Sequence, residues 1–144
     1  MTLAAEILLV EDNPADVKLT RLAFKDCKLI NNLHVVTDGA EAIDFLRQRG
    51  KHEAAARPDL ILLDLNLPKK NGREVLHEIK SDESLRLIPV IILTSSEDEK
   101  DILETYNTHA NSFITKPVEL DGFIKIVSGL ENFWFSIVKL PPRE

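Results

Sequence analysis

Apolar residues in this chain fall into short continuous runs that alternate with stretches of helical periodicity. The runs lie at residues 7–10, 33–37, 59–63, 89–93 and 112–115, and each predicts a β-strand. Those at 7–10 and 60–63 contain no polar residue, which is typical of strands buried on both faces of a parallel sheet. The run at 59–63 therefore indicates a central strand.

Between the strands, apolar residues recur at the three- and four-residue spacing of amphipathic helices. The predicted helical faces are Ala15, Leu19, Leu22 and Ala23 with Cys27 one turn further, then Ala42, Ile43 and Leu46, then Val75, Leu76 and Ile79, then Ile102, Leu103 and Tyr106, and last a helix over 119–138. Asn13 is placed to cap the first helix and Pro14 suits its first position. Residues 50–57 predict a surface connection that allows a helical extension.

Five strands alternating with five helices predict an α/β fold in a single domain over residues 1–144. The expected architecture is a parallel sheet with right-handed crossovers and helices on both faces, a doubly wound arrangement.

Composition narrows the classes of function. The chain has 144 residues, of which 44% are hydrophobic and 29% charged, as is ordinary for one globular domain. A net charge of −6 disfavours nucleic acid as a direct partner. The single cysteine, Cys27, cannot form an internal disulfide. No signal peptide and no membrane-spanning run is recognisable, so we expect a cytoplasmic protein.

Polar residues follow several of the predicted strands directly. Glu11 and Asp12 follow the first strand, Asp64 and Asn66 the third, Thr94 the fourth and Lys116 the fifth. Each has an ordinary explanation by itself: Asp64 as a turn residue or helix cap, the Glu11–Asp12 pair as charges near a helix dipole, Thr94 as a cap, and Lys116 as a solvated loop residue. Because parallel strands end at one edge of a sheet, we expect these groups to form one site.

The chemistry of that site points to phosphoryl transfer. Three ionised carboxylates close together require a cation, and oxygen ligands without histidine or cysteine indicate Mg²⁺. Asp64 is the candidate nucleophile, Lys116 a point charge for the incoming phosphate, and Thr94 a hydrogen-bond donor to it.

With these residues in place, the sequence resembles response-regulator receiver domains, the CheY-like proteins of two-component signalling. The matching stretches are residues 10–13, 63–68, 93–95 and 115–117. The resemblance implies that Asp64 takes a phosphoryl group from the phosphohistidine of a sensor histidine kinase. It also implies that Asp12 and Asp64 ligate Mg²⁺ directly, Asn66 through its backbone carbonyl and Glu11 through water. Receivers often have aspartate at the position of Glu11. The longer glutamate side chain affects the contact through water that the resemblance implies for Glu11, but not the Mg²⁺ site itself.

Further expectations come from the same family. The resemblance implies a flavodoxin-like sheet of strand order 2-1-3-4-5, a switch pair formed by Thr94 and Phe113, and a cis peptide bond between Lys116 and Pro117. Such a protein is a signalling phosphoacceptor that catalyses only its own phosphorylation and dephosphorylation. We expect no effector segment after residue 144 and an output that passes through contact with a downstream protein.

The C-terminal stretches 110–117, 131–135 and 137–141 resemble small single-domain regulators paired with cyanobacterial and other bacterial phytochromes. A phytochrome is therefore the expected kinase. The predicted last helix, over 119–138, is extended and apolar around its circumference, and a monomer would expose more of it than is usual. We expect a homodimer through this helix and its neighbouring strand, with Phe123, Val127, Phe133 and Trp134 as candidate contacts.

Three alternatives belong to other classes. A haloacid-dehalogenase-like phosphatase also uses an aspartyl phosphate and Mg²⁺, but its Asp-x-Asp motif is expected on the first strand. A flavin or nucleotide carrier would need a phosphate-cradling loop, which the five glycines do not form. A phosphate-independent interaction module remains open, although nothing required for phosphorylation is missing from the sequence.

Overall fold

The structure is a computed structural model and describes residues 5–25, 31–65, 67, 69–94 and 112–115. Within these ranges the strands are β1 (Ala5–Val10), β2 (Asn31–Val36), β3 (Leu60–Asp64), β4 (Val90–Thr94) and β5 (Ser112–Thr115). The helices are α1 (Pro14–Lys25), α2 (Gly39–Leu46) and α3 (Gly72–Ser81), with short 3₁₀ helices at Gly50–His52 and Leu85–Leu87. The predicted helices near residue 103 and over 119–138 lie outside the described residues, as does Cys27.

The strands form one parallel sheet in the order β2-β1-β3-β4-β5, which confirms the predicted order. Val10 of β1 pairs with Leu63 of β3, and Asp64 pairs with Leu93 of β4. The strand that ends in Asp64 therefore lies at the centre of the sheet, as its apolar run predicted. The single domain over 1–144 stays a prediction.

Both faces of the sheet are buried, which explains the lack of polar alternation in its central strands. On one face Leu8 and Val10 pack in a cluster with apolar residues of α2 and α3. On the other face Ile7 and Leu9 pack with Phe24 of α1. Alternate residues of one strand thus enter opposite cores.

The predicted inner faces of α2 and α3 are confirmed. Their buried residues include all six predicted positions, Ala42, Ile43 and Leu46 in α2 and Val75, Leu76 and Ile79 in α3. The α3 helix starts with a capping box in which Asn71 and Glu74 accept hydrogen bonds from each other's backbone N–H groups. The connection at 50–57 contains the 3₁₀ helix Gly50–His52, in line with the expected extension.

The predicted apolar face of α1 coincides only in part with the buried face, although the helix itself is confirmed. Leu22 is 40% exposed and Ala15 is exposed, whereas Phe24 and the polar Thr20 are buried. The Thr20 hydroxyl donates a hydrogen bond to the Asp16 carbonyl at 2.9 Å, so burial leaves it with a partner. A satisfied threonine occupies the inner face, and the hydrophobic period alone could not identify it.

No helix within the described ranges is long and apolar enough to cross a membrane.

Candidate functional site

The strand ends place the candidate residues at one edge of the sheet. Strand β1 ends at Val10, immediately before Glu11, and β3 ends at Asp64 itself. Strand β4 ends at Thr94, which pairs with Thr115 at the end of β5. Because every strand is parallel, these ends share the carboxyl edge, where α/β proteins bind ligands.

Three carboxylates converge at this edge. Glu11, Asp12 and Asp64 each contribute one oxygen, and these oxygens lie within 4.8 Å of one another. Glu11 is 0% exposed and Asp64 is 2% exposed, whereas Asp12 is exposed. The cluster is thus buried on the side of β1 and β3 and reaches solvent on the side of Asp12.

The backbone around Glu11 is fixed from two directions. Its N–H donates to the carbonyl of Val36, at the end of β2, at 3.0 Å, and its carboxylate accepts from the N–H of Asn13 at 3.2 Å. The Asn13 side chain caps α1, accepting from the N–H groups of Ala15 at 2.9 Å and Asp16 at 3.2 Å. The predicted cap is confirmed, and it joins the acidic loop to the start of α1.

The backbone of Asp64 is enclosed by β4 and the start of α3. The Leu65 N–H donates to the Leu93 carbonyl at 3.2 Å, and the Gly72 N–H donates to the Leu65 carbonyl at 3.0 Å. A Cβ atom on Gly72 would overlap the Asp64 carbonyl oxygen. Gly72 was not among the residues predicted for the site; the available signal was a glycine at a helix start, where close backbone approach is a common reason for the residue.

The donor set fits a hard divalent cation. The three groups are all carboxylates, two of them are buried, and their oxygens are close enough to surround one ion. Carboxylates packed this closely repel unless a cation neutralises them, and oxygen-only ligation is the preference of Mg²⁺ and similar ions. We define the acidic pocket by Glu11, Asp12 and Asp64. Its ligand types are those of a site for a divalent metal ion.

Of the remaining predicted site residues, some lie within the described ranges and others lie outside them. Thr94 ends β4, and Phe113 lies in β5 opposite Ile92, so both backbones are where the sequence predicted. Asn66 and Lys116 lie outside the described residues, although Lys116 directly follows the end of β5 in the sequence. The candidate dimer residues Phe123, Val127, Phe133 and Trp134 also lie outside them.

Sequence comparison identifies the family. The model of the response regulator receiver domain matches residues 7–128. Response regulator Rcp1 of Synechocystis sp. is 47% identical over 135 residues, which cover 94% of this chain and 92% of Rcp1. The probable methanogenesis regulatory protein FilR2 of Methanothrix harundinacea is 39% identical over 137 residues, covering 94% of this chain and 86% of FilR2.

Solved structures agree in fold. The phosphorylated cyanobacterial phytochrome response regulator RcpA matches with a TM-score of 0.83 and 50% identity, over 94% of this chain and 96% of that one. The Mn²⁺-bound form of Rcp1 matches with a TM-score of 0.82 and 47% identity, over 95% and 99% of the two chains. Neither the phosphatase nor the phosphate-independent module is favoured by these matches.

The family match, over residues 7–128, includes the parallel sheet from Ile7 onward and all three residues of the acidic pocket. The chain belongs to the response regulator receiver domain family and is a phosphoacceptor response regulator, a two-component signalling protein whose partner is a histidine kinase.

Proposed function

We propose that Asp64 accepts the phosphoryl group and that the acidic pocket holds Mg²⁺ for this reaction. The convergence of Glu11, Asp12 and Asp64, with oxygens within 4.8 Å of one another, is the observation that carries the proposal. Asp64 ends the central strand, so its carboxylate is the one flanked by groups from both neighbouring strands. We assign Asp12 and Asp64 as direct ligands, the Asn66 carbonyl as a third, and Glu11 as a ligand through water.

In the proposed reaction, an Asp64 carboxylate oxygen attacks phosphorus while the bond from phosphorus to the kinase histidine nitrogen breaks. The imidazole leaves and takes a proton from solvent, and an acyl phosphate remains on Asp64. Bound Mg²⁺ would offset the negative charge that gathers on the transferred oxygens. In this assignment the Thr94 hydroxyl donates a hydrogen bond to one phosphoryl oxygen, and the Lys116 ammonium pairs with another.

The deciding experiment is labelling by acetyl phosphate with Mg²⁺, followed by intact-protein mass measurement. We expect wild type to gain one phosphoryl group and Asp64→Asn to gain none. Asp59→Asn is a matched control, because Asp59 precedes the same strand at its opposite end and its carboxylate accepts from the Glu6 N–H at 2.8 Å. Undiminished labelling of Asp64→Asn would show that another residue is the acceptor.

The proposal extends to turnover and to the switch. We infer that the protein catalyses only its own phosphorylation and dephosphorylation, and that Thr94 and Phe113 change arrangement when the phosphate is present. The added charge and acceptor oxygens must be met by groups that can move. The check is a comparison of Phe113 contacts with and without beryllofluoride, a phosphoryl mimic. An unchanged environment would make Phe113 a fixed aromatic.

We further propose that the cognate kinase is a phytochrome and that both proteins act in the cytoplasm. Support comes from the similarity to RcpA and Rcp1, the first of which is described as a cyanobacterial phytochrome response regulator. Phosphotransfer from a purified cyanobacterial phytochrome kinase should exceed transfer from an unrelated histidine kinase by at least about tenfold in rate. Equal rates from both kinases would contradict the pairing.

A homodimer through the last helix is also part of the proposal. Its support is the sequence pattern over 119–138, which includes Phe123, Val127, Phe133 and Trp134. Apolar residues occupy more of the circumference than one packed face requires. Sedimentation at micromolar concentration should give a dimer, and Trp134→Ala should weaken it. A wild-type monomer at that concentration would rule the dimer out.

A further inference from the structure

Residues 36–39, the turn that leads from β2 into α2, contact Glu11 of the acidic pocket on one side and the loop that follows Asp64 on the other. On one side the Val36 carbonyl accepts from the Glu11 N–H at 3.0 Å. On the other side Gly39 lies against Lys70, in the loop that leads from Asp64 to α3. A Cβ atom on Gly39 would overlap the Lys70 carbonyl oxygen and lie 2.9 Å from the Lys70 Cβ.

The position of this turn is fixed by the start of α2. Asp38 caps the helix by accepting from the Glu41 N–H at 2.7 Å, and the Glu41 carboxylate accepts from the Thr37 N–H at 3.2 Å. Burial acts to raise the pKa of Glu41, but hydrogen bonds from Lys51, His52 and the backbone hold the pKa of this carboxyl below its ordinary value. The ionised carboxylate therefore keeps its bond to the turn.

The loop after Asp64 also approaches this turn through Lys69, at the middle of the loop. Lys69 adopts the left-handed conformation with φ of 63°, which is uncommon for a residue with a side chain, and its ammonium lies 3.6 Å from an Asp38 carboxylate oxygen. Lys70 pairs with Glu78 of α3 at 2.6 Å. The loop thus contacts both α2 and α3, with the shorter of the two ion pairs on the α3 side.

We propose that Gly39 is a positioning residue for phosphoryl transfer: its missing side chain lets the loop after Asp64 approach the turn that also holds Glu11, and this sets the spacing of the carboxylates. The inference rests on the proposed function of Asp64. A side chain at position 39 would push the loop outward, and the Asp64 backbone would follow because Gly72 packs directly against it. Ligand spacing, and with it metal affinity, would change.

The test compares Gly39→Ala with Gly50→Ala. Gly50 has φ of 57°, and apart from its chain neighbours no atom would lie within 4 Å of an added Cβ, so its alanine variant introduces backbone strain without a clash near the pocket. We expect Gly39→Ala to bind Mn²⁺ about tenfold more weakly, by titration with electron paramagnetic resonance, and to be labelled by acetyl phosphate correspondingly more slowly. Gly50→Ala should match wild type in both measurements.

A second readout needs no metal and no phosphodonor. Amide hydrogen exchange in the metal-free protein should speed up at Glu11 and Gly72 in Gly39→Ala but not in Gly50→Ala. Should Gly39→Ala fail to fold, Asp38→Ala loosens the same turn without a clash and should still weaken Mn²⁺ binding several-fold. Wild-type Mn²⁺ affinity in the folded variant, or an equal loss in Gly50→Ala, would overturn the inference.

The two proposals fail in different ways. If Asp64→Asn is labelled like wild type while Gly39→Ala still weakens Mn²⁺ binding, the acceptor assignment fails and the positioning role stands. If Asp64→Asn loses the label while Gly39→Ala binds Mn²⁺ normally, the positioning role fails alone.

Discussion

The two ends of the central sheet both carry carboxylates, but their partners differ in charge. At the amino end, Asp59 accepts from the Glu6 N–H at 2.8 Å, and the Glu6 carboxylate contacts Asn32 at 2.7 Å and the His34 ring nitrogen at 2.8 Å. Each of these acids faces a hydrogen-bond donor from a neighbouring strand. We call these residues the amino-end cluster: Glu6, Asn32, His34 and Asp59. Their hydrogen bonds join β1 to β2 and to the start of β3.

At the carboxyl end, the acidic pocket brings carboxylates together with one another. Glu11 and Asp64 are almost fully buried and lie beside Asp12, with oxygens within 4.8 Å. Like charges held this closely raise the free energy of the metal-free fold, and a cation lowers it. The comparison teaches that the charge of the neighbours, rather than the number of acids, separates a binding site from a structural cluster.

The largest expected effect is metal-dependent stability at the carboxyl end. Mg²⁺ at about one hundred times its dissociation constant should raise the free energy of unfolding by about 2.7 kcal/mol, because it binds the folded state alone. Asp12→Asn removes one charge of the pocket and should lose most of this increment. Asp59→Ala, at the amino end, should retain all of it. Urea denaturation with Mg²⁺ and with a chelator measures each increment, and equal increments in the two variants would remove the distinction between the ends.

The reverse result is expected for stability without metal. Asp59→Ala takes away the acceptor of the Glu6 N–H and should lower the free energy of unfolding by about 1.5 kcal/mol. Asp12→Asn should cost no stability under the same conditions, since it reduces repulsion in the pocket. Denaturation in chelator measures both variants. A larger loss in Asp12→Asn than in Asp59→Ala would contradict the structural role of the amino-end cluster.

Much of this architecture was predictable because short apolar runs without alternation, bounded by turn-forming residues, are typical of strands with two buried faces. The central position of the strand ending in Asp64 followed from that, and so did the convergence of Glu11, Asp12 and Asp64. The inner face of α1 was not predictable, because Thr20 satisfies its hydroxyl within the helix and so can be buried.

The close backbone contacts of Gly39 and Gly72 could not be predicted from the sequence pattern either. Gly39 and Gly72 follow turn-forming residues, and a turn accounts for each of them locally. Their contacts with Lys70 and Asp64 join residues that are brought together only when the sheet and helices pack. Hydrophobic periodicity carries no information about which backbone atoms meet at such distances.

The smallest expected effect concerns an acid on α3 whose neighbour carries the opposite charge. Lys70 pairs with Glu78 at 2.6 Å, and the hydrogen bond from Lys70 is the main reason that the pKa of Glu78 lies below its ordinary value of 4.5. A carboxyl with a lowered pKa stabilises the fold above the pKa of the unfolded chain, and this contribution disappears as the pH falls through the folded value. Both side chains are partly exposed, so Lys70→Met should cost only about 0.5 kcal/mol at pH 7.

The pH dependence of that loss separates the ion pair from simple packing. The difference between wild type and Lys70→Met should be constant above about pH 5 and should shrink toward zero as the pH falls below the ordinary pKa of 4.5. Lys69→Met is the matched control, because its ammonium lies 3.6 Å from Asp38 and its side chain is 72% exposed, so it should show almost no loss at either pH. Thermal denaturation of the three proteins across pH 3 to 7 measures this. A loss in Lys70→Met that persists unchanged at pH 3 would mean that the charge pair with Glu78 is not its cause.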